Sequence, residues 1–454
     1  MTHPSVHASH QPDKPAYIMA ASGEALSYRR LDELSNQGAH LFRNLGLSAG
    51  SHIAFMMENC LDFMVVTWAA QRSGLIFTPI STYLTASEVE FILADCGARL
   101  LVVSKRHASV AANLAATGRS PPHVFVIEEN DDEGPQRLPS WRRAIASMPT
   151  TPIADEATGI GMNYSSGTTG RPKGVKPALV QRHPMEPDPF MHRLCAGVLG
   201  MTENSVYLSP APLYHAAPIR FNMMVGHLGG TSVIMEKFDA IRFLELVETW
   251  RITHTKTVPT IFVRLLKLAE EVRRNADVSS LKAVVHAAAP CPAEIKEQMI
   301  DWLGPIIYEY YTSTTEQSTS SIAANGHTPR LGRPAGRSRN APHLAEDRDG
   351  VAGRRTRHRL LRGWAVLYHN DEAKTRTAYN SKVLLVDGRD IGHLDIDGYL
   401  YLTDRLHFVI ISGGVNIYPQ EVEDVLIMHP AVADVAVFGA PGSVEMKASA
   451  SSPS

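Results

Sequence analysis

The amino-acid sequence predicts an α/β fold, because short and continuously apolar runs alternate with amphipathic helical segments along most of the chain. The composition agrees with this prediction: 44% of the 454 residues are hydrophobic and 20% are charged, as in soluble globular proteins. A chain of this length exceeds a typical single domain, so we expect one large domain and a second, small one.

The first predicted helix covers residues 27–46, where Leu31, Leu34, Leu41, Phe42 and Leu45 share one face, with Ser27 as N-cap and Gly46 as the stop. Two further helical segments cover residues 242–252 and 260–274. Short apolar runs predict buried strands at 52–57, 99–104, 123–128, 231–235 and 282–289. Strands of this kind indicate parallel sheets that are covered by helices on both faces.

Charge and cysteine usage exclude several classes of protein. The formal net charge of −2 argues against a general nucleic-acid or membrane-surface role, since such proteins usually carry a basic surplus. The cysteines (Cys60, Cys96, Cys195 and Cys291) are far apart and form no CxxC pair, so neither a disulfide framework nor a structural zinc site is expected. No apolar run suits a signal peptide or a membrane span, and a reducing cytosol is the expected compartment.

The segment "MNYSSGTTGRPKGVK" (162–176) combines glycines, hydroxyls and two cations within a few residues. Glycines allow the backbone N–H groups to approach an anion, while the hydroxyls and the charges of Arg171 and Lys173 suit a polyphosphate. The segment is not a Walker loop, because Lys173 is followed by Gly174 and not by Ser or Thr. A flexible surface loop is the alternative reading. The sequence favours a phosphate site.

"YSSGTTGRPKGV" resembles the phosphate-loop signature of the adenylate-forming superfamily, which is the AMP-dependent synthetase and ligase group that includes acyl-CoA synthetases. Five further segments resemble motifs of this family in the family's order: "LSPAPLYHAAP" (208–218), "HAAAPCP" (286–292), "EYYTSTTE" (309–316), "GRDIGHLDIDGYLYLTDR" (388–405) and "ISGGVNIYPQEVE" (411–423). The resemblance covers residues 10–335 and 364–442, and it is closest to the acyl-CoA synthetase branch.

The resemblance implies a ligase that converts a carboxylic acid, ATP and coenzyme A to an acyl-adenylate and then to an acyl-CoA thioester, with Mg²⁺ as the metal. It assigns catalytic roles to Thr315, Glu316 and His215, and it makes Glu316 the Mg²⁺ ligand. The thiol channel falls on Ser412, Gly413 and Gly414. The residues that the resemblance assigns to ATP are Ser165, Ser166, Gly167, Thr168, Thr169, Gly170, Lys173, Ala288, Ala289, Pro290, Thr315, Asp390 and Arg405.

The resemblance also implies the domain plan. Residues 1–403 form the N-terminal AMP-binding domain of two packed, helix-covered sheets and a β-rich subdomain. Residues 404–454 form a small α+β C-terminal lobe, which begins at a turn at Asp404-Arg405 and ends in a disordered polar tail. The resemblance implies small molecules as partners, and it leaves undecided whether the chain forms a homodimer.

Three departures from the family pattern bear on activity. No segment resembles the family's C-terminal catalytic lysine, since Lys447 lies in the polar tail, so the lobe is expected to be truncated and adenylation to be impaired. Residues 337–362 are rich in arginine and lack an apolar pattern, which fits either a shifted reading frame or a divergent solvated loop. Arg389 stands where the family has glycine, beside the predicted ribose ligand Asp390.

Two alternatives to a working ligase follow from the same motifs. One is a non-catalytic ATP- or AMP-binding remnant of an acyl-CoA synthetase, and the other is an adenylating domain that serves a carrier protein. The acid also stays open among medium-chain, long-chain, aromatic and steroid side-chain acids, with a fatty acid expected. Residues 216–225, which include Met223 and Met224, are predicted to supply an apolar acyl pocket that adapts to the chain.

Overall fold

The computed structural model describes most of the first 310 residues and shorter stretches of the remainder. The described residues are 2–128, 138–165, 172–177, 183–289, 291–310, 322–324, 343–344, 359–362, 366–370, 385–387, 390–394, 400–405, 410–412, 415–417, 419–427, 429, 431–432 and 435–439. The chain divides into two compact units. The first unit contains Met1–Lys256, Ser279–Lys282 and Ala365–Thr375, and the second contains the remaining residues.

The first unit is built from two parallel sheets and the helices that cover them. Its helices are α1 (Pro4–His10), α2 (Tyr28–Asn44), α3 (Leu61–Arg72), α4 (Ala86–Cys96), α5 (Ala108–Ala116), α6 (Trp141–Ala146), α7 (Pro189–His192), α8 (Ala216–Leu228) and α9 (Ala240–Thr249). Its strands are β1 (Pro15–Met19), β2 (Ala25–Ser27), β3 (His52–Met56), β4 (Ile76–Pro79), β5 (Leu100–Val103), β6 (His123–Val126), β7 (Ile160–Gly161), β8 (Asn163–Ser165), β9 (Lys173–Pro177), β10 (Val206–Ser209), β11 (Thr231–Ile234), β12 (His254–Thr257) and β18 (Val366–Tyr368).

One sheet has the order β6-β5-β3-β4-β7 and is parallel throughout. In the other sheet, the strands of this unit follow the order β12-β10-β11-β1-β2, and only β2 is antiparallel. Helix α3 is buried along its whole length and contacts β4 of one sheet and β1 of the other. Its Trp68 indole N–H donates to the Tyr17 hydroxyl of β1 at 2.9 Å. The predicted pair of packed, helix-covered sheets is therefore confirmed.

The helix predicted at residues 27–46 corresponds to α2. Ser27 caps α2 by accepting a hydrogen bond from the Arg30 backbone N–H at 3.2 Å, as an N-cap hydroxyl does. Gly46 follows the helix with a φ of 72°, a left-handed value that favours glycine at a helix end. The predicted strands at 52–57, 99–104, 123–128 and 231–235 correspond to β3, β5, β6 and β11.

The second unit contains helices α10 (Pro259–Leu266), α11 (Glu270–Asn275), α12 (Ala293–Leu303) and α13 (Pro419–Leu426). Its strands are β13 (Ala283–His286), β14 (Ile307–Tyr310), β15 (Ile322–Ala324), β16 (His343–Leu344), β17 (Arg359–Arg362), β19 (Leu385–Asp387), β20 (Asp390–Leu394), β21 (Leu400–Arg405), β22 (Ile410–Ser412) and β23 (Val415–Ile417). Strands β13 and β14 are parallel, which confirms the strand predicted at 282–289, and β15 joins β14 antiparallel.

Two predictions for this unit were wrong. Residues 260–274 form two helices and not one, because the Leu268 N–H bonds to the Leu265 carbonyl in a tight turn and Ala269 is extended. The turn predicted at Asp404-Arg405 is the end of strand β21, which pairs with β20. The boundary predicted there between two domains stays a prediction.

The arginine-rich segment contains β16 and β17, which form an antiparallel sheet together with β19 in the order β16-β17-β19. This sheet lies where the resemblance implied a β-rich subdomain. The predicted polar tail lies outside the described residues. Among the helices of the described part, none has both the length and the apolarity that a bilayer crossing requires.

Candidate active site

The glycine-rich loop is the connection of a β-hairpin. Strands β8 and β9 pair antiparallel, and Ser165 lies directly opposite Lys173 at the end of the pair from which the loop leaves. The residues between them that were predicted to bind ATP, Ser166, Gly167, Thr168, Thr169 and Gly170, lie outside the described residues. The hairpin thus holds both ends of the predicted phosphate loop in register.

Polar contacts to Asp95 and Gly174 fix the base of this hairpin. The Tyr164 hydroxyl donates to the Asp95 carboxylate at the end of α4 (2.6 Å), and the Asn370 side-chain amide donates to the same carboxylate at 3.2 Å. The His369 ring donates to the Asp95 backbone carbonyl at 2.8 Å, while its backbone N–H donates to the carbonyl of Gly174 at 2.9 Å. Burial and the bond to Asp95 raise the pKa of Tyr164, so its hydroxyl stays a donor at neutral pH.

Gly174 leaves room for the Tyr164 ring. A Cβ on Gly174 would lie 2.5 Å from Cε of Met162 and 3.0 Å from Cζ of Tyr164. The flexible end of Met162 could move, but the Tyr164 ring is held by Asp95. A side chain at this position would therefore displace the Tyr164 ring from its bond to Asp95.

A second basic group lies farther along the same hairpin. Lys176 approaches His52, with Nζ 3.4 Å from Nε2, and the His52 ring lies 5.7 Å from the His369 ring. Burial and then the charge of Lys176 lower the pKa of His52 to about 4, so this imidazole is neutral at physiological pH. The positive charge of the hairpin therefore comes from its lysines, and the neutral His52 adds none.

His215 immediately precedes α8 and is its N-cap residue. Its ring is solvent-exposed and packs against Tyr214 with 4.5 Å between the ring centroids. The surrounding protein and then the charge of Lys256 lower the pKa of His215. The imidazole is therefore neutral near pH 7 and suited to accept or donate a hydrogen bond.

The predicted acyl-pocket segment forms α8. Met224 is 2% exposed and belongs to the buried core, whereas Met223 is partly buried against it. Phe221 stacks on Tyr207 of β10, with 5.9 Å between the centroids. The lining of an acyl pocket by this segment stays a prediction.

In the second unit, two predicted nucleotide segments begin at the same edge of a sheet. His286 is opposite Glu309 in the parallel pair β13 and β14, and the carboxyl ends of parallel strands meet at one edge. The segment with Ala288 and Ala289 follows β13, and Pro290, Thr315 and Glu316 lie outside the described residues.

A buried charged pair anchors this edge. Glu309 accepts from the Lys296 ammonium of α12, and the His286 ring lies 3.9 Å from the same carboxylate. Burial raises the pKa of Glu309 even though Lys296 opposes the shift. Ala288 has a φ of 82°, a left-handed backbone that is strained for a residue with a Cβ. Such strain is typical of functional sites, and it falls within the segment predicted to lie along adenine.

The predicted ribose ligands are neighbours. Asp390 opens β20 and Arg405 ends β21, and the two residues are directly opposite in the antiparallel ladder. The structure thus brings together two residues that lie fifteen positions apart in the sequence. Ser412 ends β22 and pairs with Val415, whereas Gly413 and Gly414 lie outside the described residues.

Sequence reasoning missed the residues that support the site. Asp95 lies outside every motif segment, and Glu309 opens the segment 309–316 but was assigned no role of its own. Lys256 was also missed, because a single lysine in a strand gives no sign of its burial. No group of three or more potential metal ligands is found among the described residues.

A hairpin whose connection is the glycine-rich segment, on an α/β scaffold of two helix-covered sheets, is consistent with the phosphate site that the sequence predicted. The family model for "AMP-binding enzyme" matches residues 5–345. A long-chain-fatty-acid–CoA ligase, FadD13 of Mycobacterium tuberculosis, is 28% identical over 438 residues, which cover 96% of this chain and 84% of the relative.

Solved structures share the fold. The anthranilate CoA ligase AuaEII, in complex with anthranoyl-AMP, superposes with a TM-score of 0.79 at 24% identity, over 97% of this chain and 85% of that one. ATP-bound MatB from Rhodopseudomonas palustris gives a TM-score of 0.76 at 22% identity, over 97% and 86%. The chain belongs to the AMP-binding enzyme family, and its relatives include acyl-CoA ligases.

Proposed function

We propose that this chain activates a carboxylic acid with ATP and transfers the acyl group to coenzyme A. In the first step a carboxylate oxygen attacks the α-phosphorus of ATP, the bond to the bridging oxygen breaks, and pyrophosphate leaves with the electron pair. In the second step the thiolate sulfur attacks the acyl carbonyl and AMP leaves. Membership of a family with acyl-CoA ligase relatives supports this class of reaction.

The hairpin of β8 and β9 is the observation that carries the proposal. It places Ser165 and Lys173 opposite each other on a base fixed by Asp95, so the two ends of the predicted phosphate loop are held together. Charge on a leaving pyrophosphate is best stabilised by donors that are positioned before the reaction. Lys173 and the loop hydroxyls have the chemistry for this role.

The other roles follow the sequence prediction. Asp390 accepts from the ribose hydroxyls and Arg405 lies beside it, Ala288 and Ala289 border adenine, and His215 lies near the acyl carbonyl. Thr315 and Glu316 serve the α-phosphate and Mg²⁺, and Ser412 begins the thiol channel with Gly413 and Gly414. Magnesium stays a prediction because Glu316 lies outside the described residues.

The proposed acid is a fatty acid. The M. tuberculosis relative is named for long-chain fatty acids, and it matches nearly the whole of this chain. AuaEII is named for anthranilate, so the fold alone does not determine which acid is the substrate.

The proposal is tested by pyrophosphate release with ATP, Mg²⁺ and a panel of fatty and aromatic acids. We expect acid-dependent release, and we expect Lys173→Ala to lower its rate by about 10²- to 10³-fold through lost charge stabilisation. Lys237→Ala is the matched control, since Lys237 is an exposed lysine outside the site. Absence of release with any acid, together with intact ATP binding, would instead favour a non-catalytic nucleotide-binding protein.

A further inference from the structure

A buried lysine lies in the first unit without a counter-charge. Lys256 of β12 is only 2% exposed, and it has no hydrogen-bond or ion-pair partner within the described part of the chain. The polar neighbours that precede it in the strand are satisfied: the His254 ring donates to the Leu199 carbonyl and the Thr255 hydroxyl to the Leu208 carbonyl, each at 2.9 Å.

A buried ammonium without a partner is costly, since lysines are almost never fully buried unless they are paired. Burial lowers the pKa of Lys256 to about 8, and no acidic group contributes to the shift. The side chain is thus still mainly protonated at neutral pH. Because no group of the described chain compensates this positive charge, an anionic ligand that bound beside it would stabilise it.

Lys256 lies toward the carboxyl end of its strand. It is the third of the four residues of β12, which runs parallel to β10, so it is near the carboxyl edge of this sheet. Ligands of open α/β sheets bind at this edge. Strand β10 leads into the segment that ends at His215, and the charge of Lys256 is close enough to lower the pKa of that exposed imidazole.

We propose that Lys256 binds a second anionic group of the acid substrate and so selects acids that carry one. The inference rests on the proposed function, because it assigns a substrate class to the same site. A dicarboxylic acid, with one carboxylate for adenylation and one for Lys256, satisfies both the reaction and the buried charge. The alternative source of the anion is the reacting carboxylate itself.

The experiment measures acid binding by calorimetry in the presence of the α,β-methylene analogue of ATP, which prevents turnover. The probes are matched pairs, glutarate with pentanoate and sebacate with decanoate. Lys256→Met keeps the length of the side chain and removes the charge. Lys282→Met is the control, because Lys282 is an exposed lysine nearby in the chain.

We expect the unsubstituted protein to prefer the dicarboxylate of a pair, and Lys256→Met to lose about 10- to 100-fold in dicarboxylate affinity, as for a hydrogen bond to a charged group. The monocarboxylate affinity and the affinity for the ATP analogue should not change. An equal loss for both members of a pair would identify the reacting carboxylate as the group that Lys256 binds, and it would overturn the selection of acids with a second anionic group.

Equal binding of every acid by Lys256→Met and the unsubstituted protein would overturn the inference, as would the absence of any acid binding. Because the readout is binding, it is independent of turnover. A dicarboxylate preference that depends on Lys256, without pyrophosphate release, would leave the inference standing and contradict the proposed function alone.

Discussion

At the scale of single residues, Lys256 shows how burial can turn an ordinary side chain into a functional candidate. Its segment "RITHTKTVPT" has no apolar residue between Ile252 and Val258, and a polar run of this kind does not predict a buried strand. In the structure every residue of β12 is buried, because the strand lies inside a helix-covered sheet. A sequence pattern does not show how deeply a strand lies in the folded protein, so the burial of Lys256 could not be predicted.

The burial of Lys256 has a consequence for stability. Its pKa is about 8 in the folded chain and 10.5 in the unfolded one, so the unfolded state binds more protons between these values and stability rises with pH across that window. Below pH 8 burial of the protonated lysine lowers the free energy of unfolding by its full amount, about 3 kcal/mol. We expect Lys256→Met to raise the midpoint of urea unfolding near pH 7, and this gain to disappear near pH 10.5.

The exposed Lys282→Met provides the baseline for that measurement, with an expected change within about 0.5 kcal/mol at either pH. A Lys256→Met protein that is less stable than the unsubstituted chain at neutral pH would show that the ammonium is not destabilising in the folded state.

At the scale of elements, the hairpin of β8 and β9 depends on the space above Gly174. Gly174→Ala forces the Tyr164 ring away from its bond to Asp95, because the new Cβ would lie 3.0 Å from that ring. We expect a loss of about 1–3 kcal/mol in stability, as for other overpacked sites. ATP affinity, measured by calorimetry, should also fall, since the base of the phosphate loop is displaced.

Gly197→Ala is the matched control for this substitution. A Cβ on Gly197 meets only Arg193 Cγ at 3.9 Å, which is ordinary contact, so neither stability nor ATP affinity should decrease. If Gly174→Ala bound ATP with unchanged affinity, the geometry of the hairpin base would not control the loop.

Elements with one strong local signal were predictable from the sequence. The buried parallel strands β3, β5, β6, β11 and β13 are continuous apolar runs, and such runs have few alternatives in an α/β protein. The division between α10 and α11 was missed, although its signal is present: Glu270 and Glu271 suit a helix start, and Arg273 and Arg274 suit a helix end. The prediction followed the apolar periodicity of the whole segment and did not use this local charge pattern.

At the scale of the whole molecule, the order of motifs predicted the family but not the contacts that support the site. The phosphate segment could be recognised from a dozen adjacent residues. Its anchor Asp95 lies sixty-nine positions before Tyr164, so only the tertiary fold brings the two together. In the same way, Asp390 and Arg405 were both predicted as nucleotide ligands, yet their direct pairing follows from the register of β20 and β21. Long-range pairs of this kind leave no local pattern in the sequence.

The surface of the second unit carries exposed apolar side chains that bear on the behaviour of the whole molecule. Phe438 is 62% exposed and Val425 of α13 is 72% exposed. Exposed apolar surface of this kind promotes association between molecules.

We therefore expect Phe438→Ser to reduce self-association, measured by static light scattering over a concentration series. Its thermal midpoint should be unchanged, because substitutions at exposed positions usually alter stability by no more than about 0.5 kcal/mol. Tyr83→Ser is the control, since Tyr83 is 84% exposed in the first unit. An equal reduction by both substitutions would mean that exposed aromatic area in general, and not the surface around Phe438, governs association. A lower thermal midpoint for Phe438→Ser would mean that this ring packs within its own chain, and its exposure would then have no bearing on association.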